Sequence, residues 1–381
     1  MSTWHLDCSA CDHSQRGDAL ASVCPKCGQP LLVHYDSAFP GREAMLPRWD
    51  MWRYAPLLPL GRGETPISLG EGTTPMREIP ALATEIGVGR LWVKDEGLNP
   101  TASFKARGMS AAVTRAAALG VPGFCVPTAG NAGAALAAYA AAARIPVRVF
   151  APRTTPSPIL ATIAALGADL QLVDGHIGDA GKQSRAFAAE HGWFDMSTLR
   201  EPYRIEGKKT MGLELAEQLG WRLPTHIIYP TGGGTGLIGM WKVFAEMRDA
   251  GWLPADITMP QMVVAQADGC APMVKAFESG ADHATPWENP QTHASGLRVP
   301  GPLGDRLILQ AVYASGGFAA SVNEEIIRSD TLRLSRASGV DAAPEGGAAL
   351  GVLDLLVRQG RIGADAEVVV FNTGSGASYR F

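Results

Sequence analysis

From Leu91 onward the sequence alternates short apolar runs with helix-length segments, and this alternation constrains the fold more than any other feature. The runs LWVKDE, GFCVPT and THIIYPT are each followed by a segment long enough to form a helix, and EVVVFNTG closes the series near the end of the chain. Strands that alternate with helices are typical of α/β proteins, in which helices connect parallel strands. The sequence therefore predicts an α/β protein with parallel sheets.

The first 35 residues carry two closely spaced cysteine pairs. Cys8 and Cys11 form the first pair, and Cys24 and Cys27 form the second. In a cytoplasmic chain this spacing indicates metal binding rather than disulfides. Four thiolates complete a tetrahedral site without an open position, so the expected metal is a structural Zn²⁺ ion in a small ribbon. The alternative is a ribbon with free cysteines and no metal.

Composition restricts the partners of the protein. The chain has 381 residues, of which 46% are hydrophobic and 18% charged, and its net charge is −4 with both signs interspersed. This charge favours neither nucleic acid nor an anionic membrane surface as a partner. No apolar stretch approaches the ~18 residues of a membrane span. The N-terminal residues do not resemble a secretory signal, so the expected location is the cytoplasm.

Lys105 stands at the beginning of a predicted helix, behind the small residues of the segment NPTASFK. This position points toward the strand ends, where open α/β sheets bind ligands. A partly desolvated lysine amine has a lowered pKa and can form an imine with an aldehyde cofactor. Taken alone, the residue has a second interpretation, that of an ordinary surface lysine.

The segment TGGGTG (231–236) follows the apolar run THIIYP and opens a predicted helix. Glycines allow the backbone to approach an anion, and the helix N-terminus offers unpaired N–H groups. The segment lacks the Lys-Ser/Thr ending of a nucleotide P-loop. It therefore predicts a phosphate site of another kind, with a simple glycine-rich turn as the alternative.

A second turn between a strand and a helix, TAGNAG (128–133), contains Asn131. Asparagine is a common helix cap, so Asn131 either caps the following helix or presents its amide to a ligand. The sequence leaves both interpretations open.

Six segments, taken in order and spacing, resemble the threonine synthase branch of the fold type II enzymes that use pyridoxal 5′-phosphate (PLP). They are EGTTP, KDEGLNPTASFKARGM, PTAGNAGAALAAYA, EPYRIEGKKTMGLELAEQLGW, YPTGGGTGLIGMWK and FNTGSG. The resemblance spans nearly the whole chain. It implies an α/β fold with two open, twisted parallel-sheet domains and an N-terminal zinc ribbon. The expected divisions are a ribbon (1–35), a connecting arm with the start of the large domain (36–90), a mainly small domain with Lys105 and Asn131 (91–205), and a large domain with the phosphate loop (206–381).

The resemblance also implies roles for individual residues. Lys105 corresponds to the catalytic lysine that carries PLP. The other residues expected to contact the cofactor are Phe104 in the pocket wall, Asn131 at the phenolic oxygen, Gly232, Gly233, Gly234 and Thr235 at the phosphate, and Thr373 at the pyridine nitrogen. The residues expected to bind substrate are Arg204, which meets a substrate phosphate, together with Thr128 and Ser103. The alternative for Arg204 is a structural ion pair.

The activity implied by the resemblance converts O-phospho-L-homoserine and water to L-threonine and phosphate, in a homodimer. The chain differs from the usual pattern at Ala106, at Ala132 and after Gly376. Two further enzyme activities therefore stay open: a Ser/Thr ammonia-lyase, and a β-replacement synthase acting on a phosphoserine-like or acetylserine-like amino acid. An interpretation from another class is a non-catalytic PLP-binding protein.

Overall fold

Three β-sheets organise the chain in the computed structural model, which describes residues 4–380. Their strands are β1 (Trp4–Cys8), β2 (Ser14–Arg16), β3 (Leu31–Tyr35), β4 (Met76–Glu78), β5 (Arg90–Asp95), β6 (Phe124–Pro127), β7 (Val147–Pro152), β8 (Asp169–Val173), β9 (Phe194–Asp195), β10 (His226–Pro230), β11 (Gln261–Ala267), β12 (Phe318–Val322) and β13 (Glu367–Asn372). From β5 to β13, at least one helix separates every two successive strands. The predicted α/β class is thereby confirmed.

The helices lie between these strands along the chain. They are α1 (Pro80–Ile86), α2 (Lys105–Ala118), α3 (Asn131–Ala143), α4 (Ser157–Ala165), α5 (Ile177–His191), α6 (Tyr203–Gln218), α7 (Thr235–Asp249), α8 (Pro272–Glu278), α9 (Asp305–Ala314), α10 (Glu324–Ser338) and α11 (Pro344–Arg358). None of these helices combines the length and the apolarity that crossing a lipid bilayer requires.

The largest sheet has six strands in the order β12-β11-β10-β13-β5-β4. All neighbouring pairs are parallel except β4 and β5, which are antiparallel at one edge. Every residue of β10 is buried. A strand buried on both faces reads as a continuous apolar run, which is why HIIYP shows no alternation.

A second sheet has four strands in the order β8-β7-β6-β9, and all of its pairs are parallel. Its strands come from residues 124–195. The two parallel-stranded sheets agree with the expected architecture of two open-sheet domains. β5 begins at Arg90 and pairs within the six-stranded sheet, so the predicted domain division at residue 91 falls inside that strand. The divisions themselves remain predictions.

The N-terminal ribbon is an antiparallel sheet of β2, β1 and β3 that packs on the body of the protein. The Tyr35 hydroxyl donates to Glu206 Oε2 over 2.5 Å, and Lys209 Nζ donates to the same hydroxyl over 3.0 Å. Both partners belong to α6. A second contact joins Arg115 Nη2 on α2 to the carbonyl oxygen of Gly17 at 2.8 Å. The ribbon is therefore attached to two adjacent helices.

Helices α2 and α6 approach each other closely at two glycines. A Cβ atom on Gly207 would lie 2.1 Å from the carbonyl oxygen of Arg107, and one on Gly108 would lie 2.9 Å from Lys208 Cε. Neither distance is compatible with a larger side chain in the present arrangement. The missing side chains let the helix that begins at Lys105 lie against the helix that carries Arg204 and Lys208.

Candidate active site

The residues predicted to contact the cofactor all follow the carboxyl ends of parallel strands. Lys105 comes after β5, Asn131 after β6, the glycine loop 232–234 after β10, and Thr373 directly after β13. Open α/β sheets bind ligands at this edge because loops from several strands converge there. The location agrees with a shared binding site.

The loop before Lys105 is strained and is held by the chain end. Thr101 and Ala102 both adopt the left-handed backbone region, with φ of 59° and 56°. Such conformations are uncommon for residues other than glycine and persist only when the surroundings hold them. Here Phe104 N donates to the carbonyl oxygen of Thr373 over 3.1 Å. This contact brings the predicted residues Lys105 and Thr373 into one region.

The amine of Lys105 is placed for chemistry near neutral pH. Its Nζ lies 4.5 Å from the centroid of the Phe104 ring. Desolvation, and secondarily the positive charge of Arg204, lower the pKa of Lys105 to about 7, against the opposing effect of Glu345. An amine with this pKa is substantially neutral at pH 7 and can act as a nucleophile or a base.

The turn before α3 leaves the side-chain amide of Asn131 without a hydrogen bond to the other described residues. Thr128 Oγ1 accepts from Gly130 N and Gly133 N at 3.1 and 3.0 Å, and donates to the carbonyl oxygen of Gly130 at 2.7 Å. The Thr128 hydroxyl therefore holds the turn, and its contact with substrate stays a prediction. Gly130, not Asn131, occupies the cap position of α3. Asn131 Nδ2 points toward the chain end, 3.2 Å from the position that a Cβ on Gly374 would take.

The glycine loop forms a cradle for an anion at the start of α7. A Cβ on Gly232 would lie 2.1 Å from the carbonyl oxygen of Gly296, so only glycine fits there, and Gly234 has a φ of 68°. Within residues 4–380, the N–H groups of Gly232, Gly233 and Gly234 donate to no protein acceptor. Free N–H groups at a helix N-terminus are suited to a phosphate.

Arg204 carries unsatisfied hydrogen-bond donors beside the site. Its side chain is 1% exposed, and Nη1 donates to the carbonyl oxygen of Met196 over 2.7 Å. Nε and Nη2 have no hydrogen-bond partner in the described part of the chain, but Nε lies 3.9 Å from Glu201 Oε1, which is within ion-pair distance. Burial lowers the pKa of Arg204. Buried donors are normally satisfied, so these two donor groups are available to a polar ligand. Ser103 Oγ is fully buried and also has no hydrogen-bond partner among residues 4–380.

Two charged residues of this region were not identified in the sequence analysis. Lys208 Nζ donates to Thr235 Oγ1 over 2.6 Å. Lys208 lies one helical turn after Arg204 in the block EPYRIEGKKT, so the i, i+4 spacing could have revealed it. Glu345 Oε1 accepts from Gly296 N at 2.8 Å and from the Tyr379 hydroxyl at 2.7 Å. These partners are distant in sequence, and no local pattern indicates them.

Comparison with known proteins defines the class of the protein. Residues 67–374 match the pyridoxal-phosphate dependent enzyme family. The fold is similar to that of diaminopropionate ammonia lyase from Escherichia coli, with a TM-score of 0.69, 19% identity, and coverage of 82% of this chain and 88% of that one. Maize serine racemase gives a TM-score of 0.67 at 21% identity, over 79% and 88% of the two chains. The chain is a fold type II PLP-dependent enzyme.

Two curated relatives refine this assignment. Threonine synthase from Methanosarcina acetivorans is 36% identical over 375 residues, which cover 97% of this chain and 91% of the relative. Threonine synthase from Methanocaldococcus jannaschii is 34% identical over 376 residues, with the same coverage. The chain therefore belongs to the threonine synthase family and is a PLP-dependent lyase, as the sequence analysis predicted.

The residues of the site fit PLP. The glycine loop offers free N–H groups for a phosphate, Lys105 offers an amine with a lowered pKa, and Asn131 offers an amide with no protein hydrogen bond among the described residues. These groups differ in chemistry, and PLP presents a matching group for each: a phosphate, an aldehyde and a phenolic oxygen. The individual contacts remain the ones that the sequence analysis predicted.

The four cysteines of the ribbon form a cluster suited to a metal ion. Their sulfur atoms all lie within 4.8 Å of one another, with Cys8 to Cys27 at 3.4 Å and Cys11 to Cys24 at 3.6 Å. A tetrahedral zinc site with bonds of about 2.3 Å has sulfur–sulfur separations of about 3.8 Å. The fold therefore brings together the four residues that the sequence analysis predicted.

Proposed function

We propose that the enzyme converts O-phospho-L-homoserine and water to L-threonine and phosphate. The observation that carries this substrate is Arg204, a buried guanidinium whose Nε and Nη2 have no hydrogen-bond partner among the described residues. A guanidinium binds a phosphate with two parallel, charge-assisted hydrogen bonds. Unphosphorylated serine or threonine would leave these donors unsatisfied. The family membership of the chain supports the same reaction.

Lys105 is the proton-transfer residue of this proposal. When bound, PLP conjugates with the substrate amine and delocalises the negative charge that develops on carbon. Lys105 removes the proton from Cα and later acts as the base at Cβ. A pKa of about 7 lets its amine both accept and return protons near neutral pH. Phosphate leaves from Cγ, where Arg204 stabilises its charge. The proton taken from Cβ goes to Cγ, which becomes the methyl group. Water then adds its hydroxyl at Cβ and gives its proton to the released phosphate, and the proton taken from Cα is returned there.

Substituting Arg204 tests the substrate. In an Arg204→Met variant, we expect kcat/KM for O-phospho-L-homoserine to fall about 100-fold, because charge-assisted hydrogen bonds contribute about 1.5–3 kcal/mol. Arg204→Lys should recover part of this loss. Phosphate release measures the reaction, and Arg153→Met, at an exposed ion pair with Asp174, is the matched control.

The same assay separates the alternative activities. Wild-type enzyme should release phosphate from O-phospho-L-homoserine much faster than it releases ammonia from L-serine or L-threonine. The substrate proposal is wrong if ammonia release dominates, or if O-phospho-L-serine is consumed in preference to O-phospho-L-homoserine.

We also propose that Cys8, Cys11, Cys24 and Cys27 hold one structural Zn²⁺ ion. Four thiolates leave no open position, so this ion would contribute folding energy rather than catalysis. In a Cys8→Ser variant, we expect the zinc content to fall from about one equivalent per chain to a small fraction of that value, together with a lower melting temperature. Elemental analysis and thermal unfolding measure both effects.

Cys270→Ala is the control for the zinc experiment, because Cys270 is buried in the body of the protein and lies outside the cluster. Wild-type protein that contains no zinc after expression in zinc-supplemented medium would contradict this proposal. We further propose that the enzyme is a homodimer in the cytoplasm, and the family resemblance is the support for this assignment.

A further inference from the structure

Lys208 carries a buried side-chain amine with no carboxylate partner among the described residues. Its side chain is fully buried, and its one hydrogen bond goes to a neutral hydroxyl, Thr235 Oγ1, at 2.6 Å. Within residues 4–380 no carboxylate oxygen lies within ion-pair distance. Two other fully buried lysines behave differently: Lys94 pairs with Glu214 at 2.9 Å, and Lys209 pairs with Glu206 at 2.7 Å. Lys208 thus differs from the other two buried lysines, and an anionic ligand would supply the missing ion-pair partner.

The positively charged neighbours of Lys208 make the charged form of this buried amine still less favourable. Burial lowers the pKa of Lys208 well below its ordinary value, and the positive charges of Lys105 and Arg204 lower it further, against the weaker opposing effect of Glu201. An unpaired buried cation beside two other cations is unfavourable. An anion in the cleft would reverse this balance and make the ammonium form favourable.

The position of Lys208 identifies that anion. Thr235, its hydrogen-bond partner, is the first residue of α7, directly after the glycine loop with the free N–H groups. Lys208 Nζ lies 4.6 Å from the centroid of the Phe104 ring, and Lys105 Nζ lies 4.5 Å from the same centroid. PLP carries its aldehyde and its phosphate arm on adjacent ring carbons. A lysine at the aldehyde and a cation at the phosphate must therefore lie near each other, and these two amines both lie within 4.6 Å of one ring centroid.

The packing of α2 and α6 keeps Lys208 in this place. Gly108 on α2 leaves the space that Lys208 Cε occupies, since a Cβ atom there would lie 2.9 Å from it. The aliphatic part of the lysine is therefore enclosed by the helix that begins at Lys105. Its ammonium group is directed to the start of α7.

We propose that Lys208 binds the phosphate of PLP, together with the glycine loop, and thereby selects the phosphorylated cofactor over pyridoxal. This inference rests on the proposed placement of the PLP phosphate at Gly232, Gly233, Gly234 and Thr235. Lys208 adds a full positive charge to a cradle that otherwise consists of neutral N–H groups. A charge-assisted hydrogen bond from a buried ammonium group is stronger than a neutral one.

The test compares the affinities of the full-length protein for PLP and for pyridoxal, which lacks the phosphate. In a Lys208→Met variant, we expect the Kd for PLP to rise about 30-fold, from the loss of one charge-assisted hydrogen bond. The Kd for pyridoxal should stay within about twofold of the wild-type value. Lys208→Arg keeps the charge and should retain most of the preference for PLP. Absorbance of the bound cofactor, measured during equilibrium dialysis, reports both affinities.

The inference is overturned if the Kd values for PLP and pyridoxal change by the same factor, or if neither changes. It is also overturned if Lys208→Met weakens competitive inhibition by inorganic phosphate while the preference for PLP over pyridoxal is retained, since Lys208 would then serve the substrate. If the methionine variant does not fold, Lys208→Gln carries the same comparison. Borohydride reduction followed by peptide mass analysis tests the proposed function separately: a wild-type cofactor label away from Lys105 contradicts that proposal itself.

Discussion

Replacing Lys105 by alanine is expected to abolish the stable attachment of PLP and to lower turnover by about four orders of magnitude. The variant loses both the amine that holds the cofactor and the proton-transfer group, and general acid–base catalysis alone contributes up to about 10⁴-fold. The visible absorbance of the purified protein measures the first effect. Phosphate release from O-phospho-L-homoserine, with PLP supplied, measures the second.

Lys182→Ala is the matched control for this experiment, because Lys182 lies on α5 with 76% of its side chain exposed. It should keep the visible band and the activity. The assignment of Lys105 would be wrong if Lys105→Ala retained an unchanged absorbance band and more than a few per cent of wild-type turnover.

The second large effect is expected in stability, at Arg107. This fully buried guanidinium donates to Glu96 Oε2 at 2.6 Å and to Glu214 Oε1 at 2.6 Å. Lys94 supplies the other positive charge of the cluster, 2.9 Å from Glu214 Oε2. In an Arg107→Met variant Glu96 loses its ion-pair partner, and Glu214 keeps only Lys94. Breaking a buried ion pair in this way costs about 3–5 kcal/mol, so the free energy of unfolding should fall by about that amount.

Denaturant unfolding measures this loss, and Arg148→Met serves as the control. Arg148 pairs with Asp169 near the surface, where ion pairs contribute at most about 1 kcal/mol. Equal losses in the two variants would show that the buried cluster does not stabilise the fold more than a surface pair does. The cluster also joins β5, α2 and α6, so its loss should affect the placement of Lys105.

Several features of the fold could be predicted because they depend on neighbouring residues. The alternation of apolar runs with helix-length segments specifies α/β architecture, since the periodicity of burial is a local property. The glycines of 232–234 were recognisable because close backbone approach demands a residue without a side chain. The antiparallel edge strand β4 was not predicted, because its pairing with β5 is a contact between separate segments.

In the candidate site, too, some features follow from local sequence and others from contacts between distant segments. The sequence by itself determined the kind of chemistry: a lysine, a glycine loop and an asparagine turn appear as local motifs whose order resembles one family, and four cysteines at fixed spacing indicate a metal. Only the tertiary structure decided how these groups are charged and partnered. Among the described residues, Arg204 has two donors without hydrogen bonds and Lys208 has no carboxylate partner, because of what surrounds them in space. Desolvation and ion pairing depend on residues distant in sequence, and for this reason no local motif could reveal them.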